Sequence, residues 1–154
     1  MTYLVDTNVV SELRKGGRCD PGVASWFAKV SSEEIYLSVL TIGEIRKGIE
    51  SIRRRDERTA EVLEAWLGEL VAAYSNRILS VDEGIAEQWG RYNVPDPLPV
   101  LDSLLAATAS MHGLTLVTRN VKDVERTGVN CLNPFGDGFG RRGRTVDPIP
   151  GETV

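Results

Sequence analysis

Apolar positions along the chain follow two rhythms. Short runs rich in β-branched and large apolar residues occur at Tyr3 to Val5, Ile35 to Ser38, Ile78 to Val81 and Thr115 to Thr118, with a fifth near Val129 to Leu132. Between them, apolar residues recur at three-and-four spacing over Asn8 to Arg14, Pro21 to Val30, Thr41 to Ile52, Asp56 to Ser75, Asp82 to Tyr92 and Val100 to His112. Strand-like runs alternating with longer helical ones predict βα units and an α/β fold around a parallel sheet. Within Thr41 to Ile52, the residues Ile42, Ile45, Ile49 and Ile52 make one stripe, so that helix is expected to pack on the sheet. The segment Val94 to Pro99, VPDPLP, reads as a stiff loop leading into the next helix. From Asn133 onward the chain is rich in Gly and Pro and poor in core formers, which predicts a mobile tail or a partner-binding arm. The expected organisation is one domain over 1–135 and a Gly/Pro/Arg-rich tail over 136–154.

Composition narrows the class. A chain of 154 residues, 42% hydrophobic, holds one domain with one sizeable core. No stretch reaches the roughly 20 apolar residues that span a bilayer, and MTYLVDTN lacks a secretory signal, so a soluble, cytoplasmic protein with no membrane partner is expected. Two cysteines, Cys19 and Cys131, and a single histidine, His112, speak against a disulfide framework or a zinc cluster. The three tryptophans, at 26, 66 and 89, lie in amphipathic helices and read as core or interface. Net charge is −4, which by itself does not mark a nucleic-acid binder. Basic residues are nevertheless grouped: Arg14, Lys15 and Arg18; Arg46 and Lys47; Arg53 to Arg55; Arg141, Arg142 and Arg144. Each group reads as a solvated helix face or loose tail, or together they rim an acidic pocket.

Candidate chemistry lies among the acids. In an open parallel sheet, ligands bind beyond the carboxyl ends of the strands. Asp6 follows the first strand directly and stands at such an end; its alternative role is to cap the helix that begins there. Glu44 lies beside the isoleucine stripe, partly desolvated, and needs a cation, a hydrogen-bond donor or a metal. Asp102 is the acid in the first turn of VLDSLLAATAS, a helix that is apolar or small almost all round; the helix N-terminus also favours a plain structural Asp there. Beyond LTLVT, Asn120 and Asp123 either form a box-like cap of a short helix or belong with the other acids. Thr118, at the strand end, is a turn residue or a holder of bound water.

Read as βα units, three of these acids fall at one rim. Clustered carboxylates raise one another's pKa unless a cation offsets them. An all-oxygen site without His or Cys suits Mg²⁺ or Mn²⁺, ions that activate water and stabilise charge on a phosphoryl group. The matching substrate class is a phosphodiester.

The blocks YLVDTNVVSELRK, LTIGEIRKGI, LPVLDSLLAATA and LTLVTRNVKDVERTGV resemble, in order, the four blocks of PIN-domain proteins, particularly the VapC-type toxins of toxin-antitoxin modules. The resemblance spans roughly Tyr3 to Pro134. It implies an α/β/α sandwich, Asp6, Glu44, Asp102 and Asp123 as catalytic acids and ligands of Mg²⁺ or Mn²⁺, and Thr7, Asn8, Thr118 and Asn120 as supporting polar residues. It further implies an endoribonuclease acting on tRNA or ribosomal RNA, a homodimer, and a small VapB-type antitoxin whose tail covers the site and through which the complex binds promoter DNA. The chain departs from many relatives in having Val124, not an aromatic residue, after the last acid, and its tail from Gly136 does not align.

Two other readings compete. A phosphatase using an aspartyl nucleophile would carry a second acid two positions after the first, where this chain has Asn8. A catalytically silent PIN-like module would keep the fold and act only as a binding or regulatory partner. A nuclease using the internal 2′-hydroxyl lacks its usual histidine pair, since only His112 exists.

Overall fold

The computed structural model describes residues 1–136. Its five strands are β1 (Tyr3–Val5), β2 (Ile35–Ser38), β3 (Ile78–Leu79), β4 (Thr115–Val117) and β5 (Cys131–Leu132). They form one all-parallel sheet in the order β3-β2-β1-β4-β5. The helices are α1 (Thr7–Leu13), α2 (Pro21–Lys29), α3 (Val39–Arg53), α4 (Glu57–Ala73), α5 (Glu83–Tyr92), α6 (Val100–His112) and α7 (Val121–Val124).

Strand alternation builds both layers of the core, because successive side chains leave a strand on opposite faces. Tyr3, Val5, Ile35, Leu37, Val117 and Leu132 face one side and pack with residues of α1 to α4, including Val9, Trp26, Ile45, Ile49 and Leu67. Leu4, Leu116 and Cys131 face the other and pack with Leu105, Ala106 and Ala109 of α6 and Val124 of α7. The result is the expected α/β/α sandwich.

Capping explains where most helices start. Asp20 accepts from the amides of Gly22 (2.9 Å) and Val23 (3.2 Å), with Pro21 in the first turn where its missing N–H costs nothing. Asp56 and Asp82 cap α4 and α5 through Thr59 N and Ile85 N. Ser38 accepts from Leu40 N at 3.0 Å, so α3 begins two residues before the expected Thr41. Gly113, at φ 66°, ends α6 in the left-handed conformation that glycine adopts without penalty. Within α3, Ile45 and Ile49 are buried and Ile42 and Ile52 are partly buried against them.

Two expectations need correction. The third strand is only Ile78–Leu79, because Ser80 and Val81 leave the sheet before Asp82 caps α5. The tail does not begin at Asn133: Pro134 and Phe135 are buried, and Gly136 N donates to Asp20 Oδ1 at 3.2 Å. The segment lies so close over Gly22 that a Cβ there would strike the carbonyls of Pro134 and Gly136. Of the expected tail over 136–154, residues 137–154, with Arg141, Arg142 and Arg144, lie outside the described residues. Among the described residues no helix is long and apolar enough to cross a membrane.

The basic groups are mostly solvated. Arg46 pairs with Glu50 (3.2 Å) and Glu64 (2.5 Å), and Arg53 with Glu50, Glu57 and Glu64, on the exposed face where α3 meets α4. Arg46 and Arg53 therefore do not rim an acidic pocket, whereas Arg14 lines a groove that reaches Glu44.

Candidate active site

The chain runs from β1 out to β3 on one side, then returns to β4 on the other, so the strand order reverses between β1 and β4. This is the place in an open α/β sheet where a crevice opens at the carboxyl ends of the strands. The β1–β4 register pairs Val5 with Val117, which makes Asp6 and Thr118 the next pair outward. Asp6 N donates to Val117 O at 2.9 Å, fixing that step.

Asp6 is 4% exposed. Its Oδ1 accepts from Thr7 N at 2.6 Å, and its Oδ2 from Thr118 Oγ1 at 2.7 Å and Asn8 Nδ2 at 3.2 Å. The capping role and the strand-end role are therefore the same placement, with one oxygen serving each. Burial pushes the Asp6 pKa up; the bonds from Thr118, Thr7 and Asn8 pull it down, and the charge of Glu44 raises it again. Thr118 in turn accepts from Asn120 N at 3.0 Å, and Arg119 N donates to Asn8 Oδ1 at 3.2 Å. The ends of β1 and β4 are thus laced together by side chains.

Glu44 reaches this rim from the second turn of α3. Its Oε1 accepts from Thr7 Oγ1 at 2.8 Å, which supplies the donor a half-buried carboxylate requires. Arg46 takes no part, being turned to Glu50 and Glu64.

Asp102 enters from the opposite layer, in the first turn of α6, which packs on β1 and β4. Its pKa is pushed up to about 6: burial is the largest cause, followed by the charge of Asp6, with Asp123 adding both its charge and a hydrogen bond. A bond from the Asn120 side chain pulls the other way. The helix N-terminus favours the anion, but burial and two neighbouring acids outweigh it. Asn120 occupies the N-cap position of α7 without a side-chain cap bond, so the box-like cap with Asp123 does not form. Its side chain instead lowers the Asp102 pKa, and exposed Asp123 raises it.

All four expected acids and all four expected supporting residues therefore lie in one electrostatic neighbourhood. The donor set is carboxylate, hydroxyl and amide oxygen throughout, which fits a hard divalent cation. In the present side-chain arrangement no three His, Cys, Asp or Glu of the described residues close around a single ion. Asp6 and Glu44 are turned to hydroxyl and amide donors, the arrangement that spares adjacent carboxylates from facing one another.

From Thr7 and Glu44 a groove of about 200 Å³ runs between α1 and α3 to Arg14 and Trp66. There it meets an apolar cavity of about 210 Å³ lined by Val10, Leu13, Leu70 and Tyr74. Sequence reasoning missed Arg119. It is an isolated cation between Thr118 and Asn120, and its partner Phe135 lies in the segment read as tail.

The PIN domain family model matches residues 3–129. A VapC ribonuclease of Sinorhizobium fredii is 30% identical, over 86% of this chain and 96% of that protein. Among solved structures, FitAcB from Neisseria gonorrhoeae superposes with a TM-score of 0.79 at 28% identity, covering 86% of this chain and 98% of that one. A toxin-antitoxin complex from Klebsiella pneumoniae superposes with a TM-score of 0.60 at 25% identity, covering 87% and 98%.

Proposed function

From the premise that this chain belongs to the PIN-domain family, we propose that it is a metal-dependent endoribonuclease acting as the toxin of a toxin-antitoxin pair. The observation that carries the chemistry is the convergence of buried Asp6, Glu44, partly buried Asp102 and Asp123 where the strand order reverses; burial and the charges of Asp6 and Asp123 push the Asp102 pKa up there. Carboxylates held together at such a cost in burial and mutual repulsion are matched to a cation.

Asp6, Glu44, Asp102 and Asp123 would hold Mg²⁺ or Mn²⁺. Once bound, such an ion supplies Lewis acidity to a phosphoryl oxygen and acidifies water at neutral pH. The chain's own residues set the frame. Thr118 and Asn8 hold Oδ2 of Asp6, Thr7 orients Glu44, and Asn120 orients Asp102. Burial of Asp6 excludes bulk water from the inner side of the site, leaving exposed Asp123 on the side from which RNA and the attacking water enter. Hydrolysis of this kind leaves 5′-phosphate and 3′-hydroxyl ends. The groove beyond Glu44, with Trp66, Leu70 and Tyr74, is the surface assigned to the apolar tail of an antitoxin. The protein is expected to be a homodimer, to act on tRNA or ribosomal RNA, and to meet promoter DNA only through that antitoxin.

A binding-only module is the competing reading, and the open arrangement of the acids is the observation on its side. Purified protein incubated with total tRNA and ribosomal RNA decides between them. Discrete cuts with 5′-phosphate ends, present in Mg²⁺ or Mn²⁺ and lost in EDTA and in Asp6→Asn, are expected. Absence of cutting in every RNA pool by folded, antitoxin-free protein refutes the enzyme.

A further inference from the structure

We propose that Arg119 binds an RNA phosphate adjacent to the one being cut, and that Phe135 is the residue that positions it; this rests on the ribonuclease reading above. The Arg119 guanidinium lies 3.7 Å from the centroid of the Phe135 ring. That ring is 7% exposed and packed in the core beside the residues of α1, α2 and β5, so the platform is fixed while the cation on it is exposed. The backbone beneath is fixed too: the Arg119 amide donates to Asn8 Oδ1, the Thr118 hydroxyl donates to Asp6, and the Asn120 amide N–H donates to the same hydroxyl. Arg119 is therefore a pre-ordered charge on the rim of the acid cluster.

Its chemistry points to phosphate. A guanidinium stacked on an aromatic face keeps its in-plane N–H edges open, and those edges match the oxygens of a phosphodiester. No carboxylate of the described residues forms an ion pair with it. Glu12, which feels its charge, is already engaged by Lys15 Nζ at 2.7 Å and by Asp20 N at 2.8 Å. Four other arginines are spent elsewhere: Arg46 and Arg53 on the α3–α4 acids, Arg77 on Ile35 O, Arg126 on backbone carbonyls. An acid-lined site repels a polyanion, and a fixed cation at its edge offsets that repulsion where the strand of RNA leaves the reacting centre.

The test is the affinity of a fluorescent single-stranded RNA for the full chain, read by anisotropy in Mg²⁺ at several salt concentrations. An Asp102→Asn background prevents cutting during the measurement. Arg119→Gln is expected to weaken binding roughly tenfold, as for loss of a charged hydrogen bond, and to lower the slope of log K against log salt by about 0.7. Arg119→Lys is expected to keep the slope and recover part of the affinity. Phe135→Leu keeps the cation but frees it, so the slope stays and affinity falls severalfold. Unchanged affinity and slope in Arg119→Gln overturn the proposal, as does failure of the parent protein to bind RNA. Loss of affinity for the antitoxin with RNA binding intact also overturns it, by assigning Arg119 to a peptide. If Arg119→Gln weakens RNA binding but the chain with Asp102 restored cuts nothing, the phosphate contact stands and the nuclease reading falls.

Discussion

Asp102→Asn is expected to make the metal-free protein more stable. The carboxyl pKa is displaced from 3.8 to about 6. A raised value means the native state holds the proton more tightly than the unfolded chain does. Below about pH 4 the group is protonated in both states and costs nothing. The penalty grows as pH rises through the interval from 3.8 to about 6 and is complete above it. At about 1.4 kcal/mol per pH unit the full displacement corresponds to about 3 kcal/mol. Asp102 is only partly buried, so screening by solvent reduces this to about 1–2 kcal/mol. For a domain of this size that is about 3–6 °C in Tm. Asparagine retains an oxygen to accept from Asn120 and presents an amide to Asp6 and Asp123, so little packing is lost. Thermal unfolding in EDTA from pH 4 to 8 provides the measurement. Variant and parent are expected to coincide near pH 4 and diverge to the full difference by pH 7. A variant less stable than the parent at pH 7, or a difference independent of pH, refutes the account of why Asp102 titrates high.

Further outcomes follow from other contacts. Thr118→Val removes the hydroxyl that joins Asp6 Oδ2 to Asn120 N; a loss of about 1–3 kcal/mol is expected in urea unfolding, with RNA cleavage reduced as well. Glu44→Gln keeps an oxygen for Thr7 Oγ1, so stability should change by less than about 0.5 kcal/mol, while metal-dependent cleavage is lost. Gly22→Ala places a methyl against the Pro134 and Gly136 carbonyls; denaturant unfolding should show about 1–3 kcal/mol of destabilisation, with faster proteolysis after β5. Ile49→Ala opens the sheet-facing side of α3 and should cost about 2–5 kcal/mol by the same measurement.

Much of this was legible in the sequence because the physics concerned is local. Val100 to His112 forms the expected helix end to end, bounded by Pro99 and Gly113. The strand positions follow from short β-branched runs, and the rim position of Asp6 follows from its place after β1. What stayed open depends on competition between partners distant in the chain. Asn120 is a good cap by type, but its side chain makes no cap bond and acts on Asp102 across the layer. Thr118 reads as a turn residue until register places it opposite Asp6. Ser38 starts α3 early because one hydroxyl outweighs two apolar positions that look like strand. Phe135 stands in Gly- and Pro-rich surroundings that predict a tail, and only the crevice over Gly22 makes it core.

The lacing of β1 to β4 also bears on synthesis. A growing chain that has reached Ser110 already carries Asp6, Glu44 and Asp102, yet lacks the strand that supplies Thr118. Its β1 then has one bare edge, and Asp6 lacks the hydroxyl that fixes its second oxygen. A product of that length also lacks Asp123, so the acid cluster is incomplete as well as untied. For a protein that attacks RNA, this order of assembly ties any cutting to the arrival of β4, the strand that brings Thr118 to Asp6.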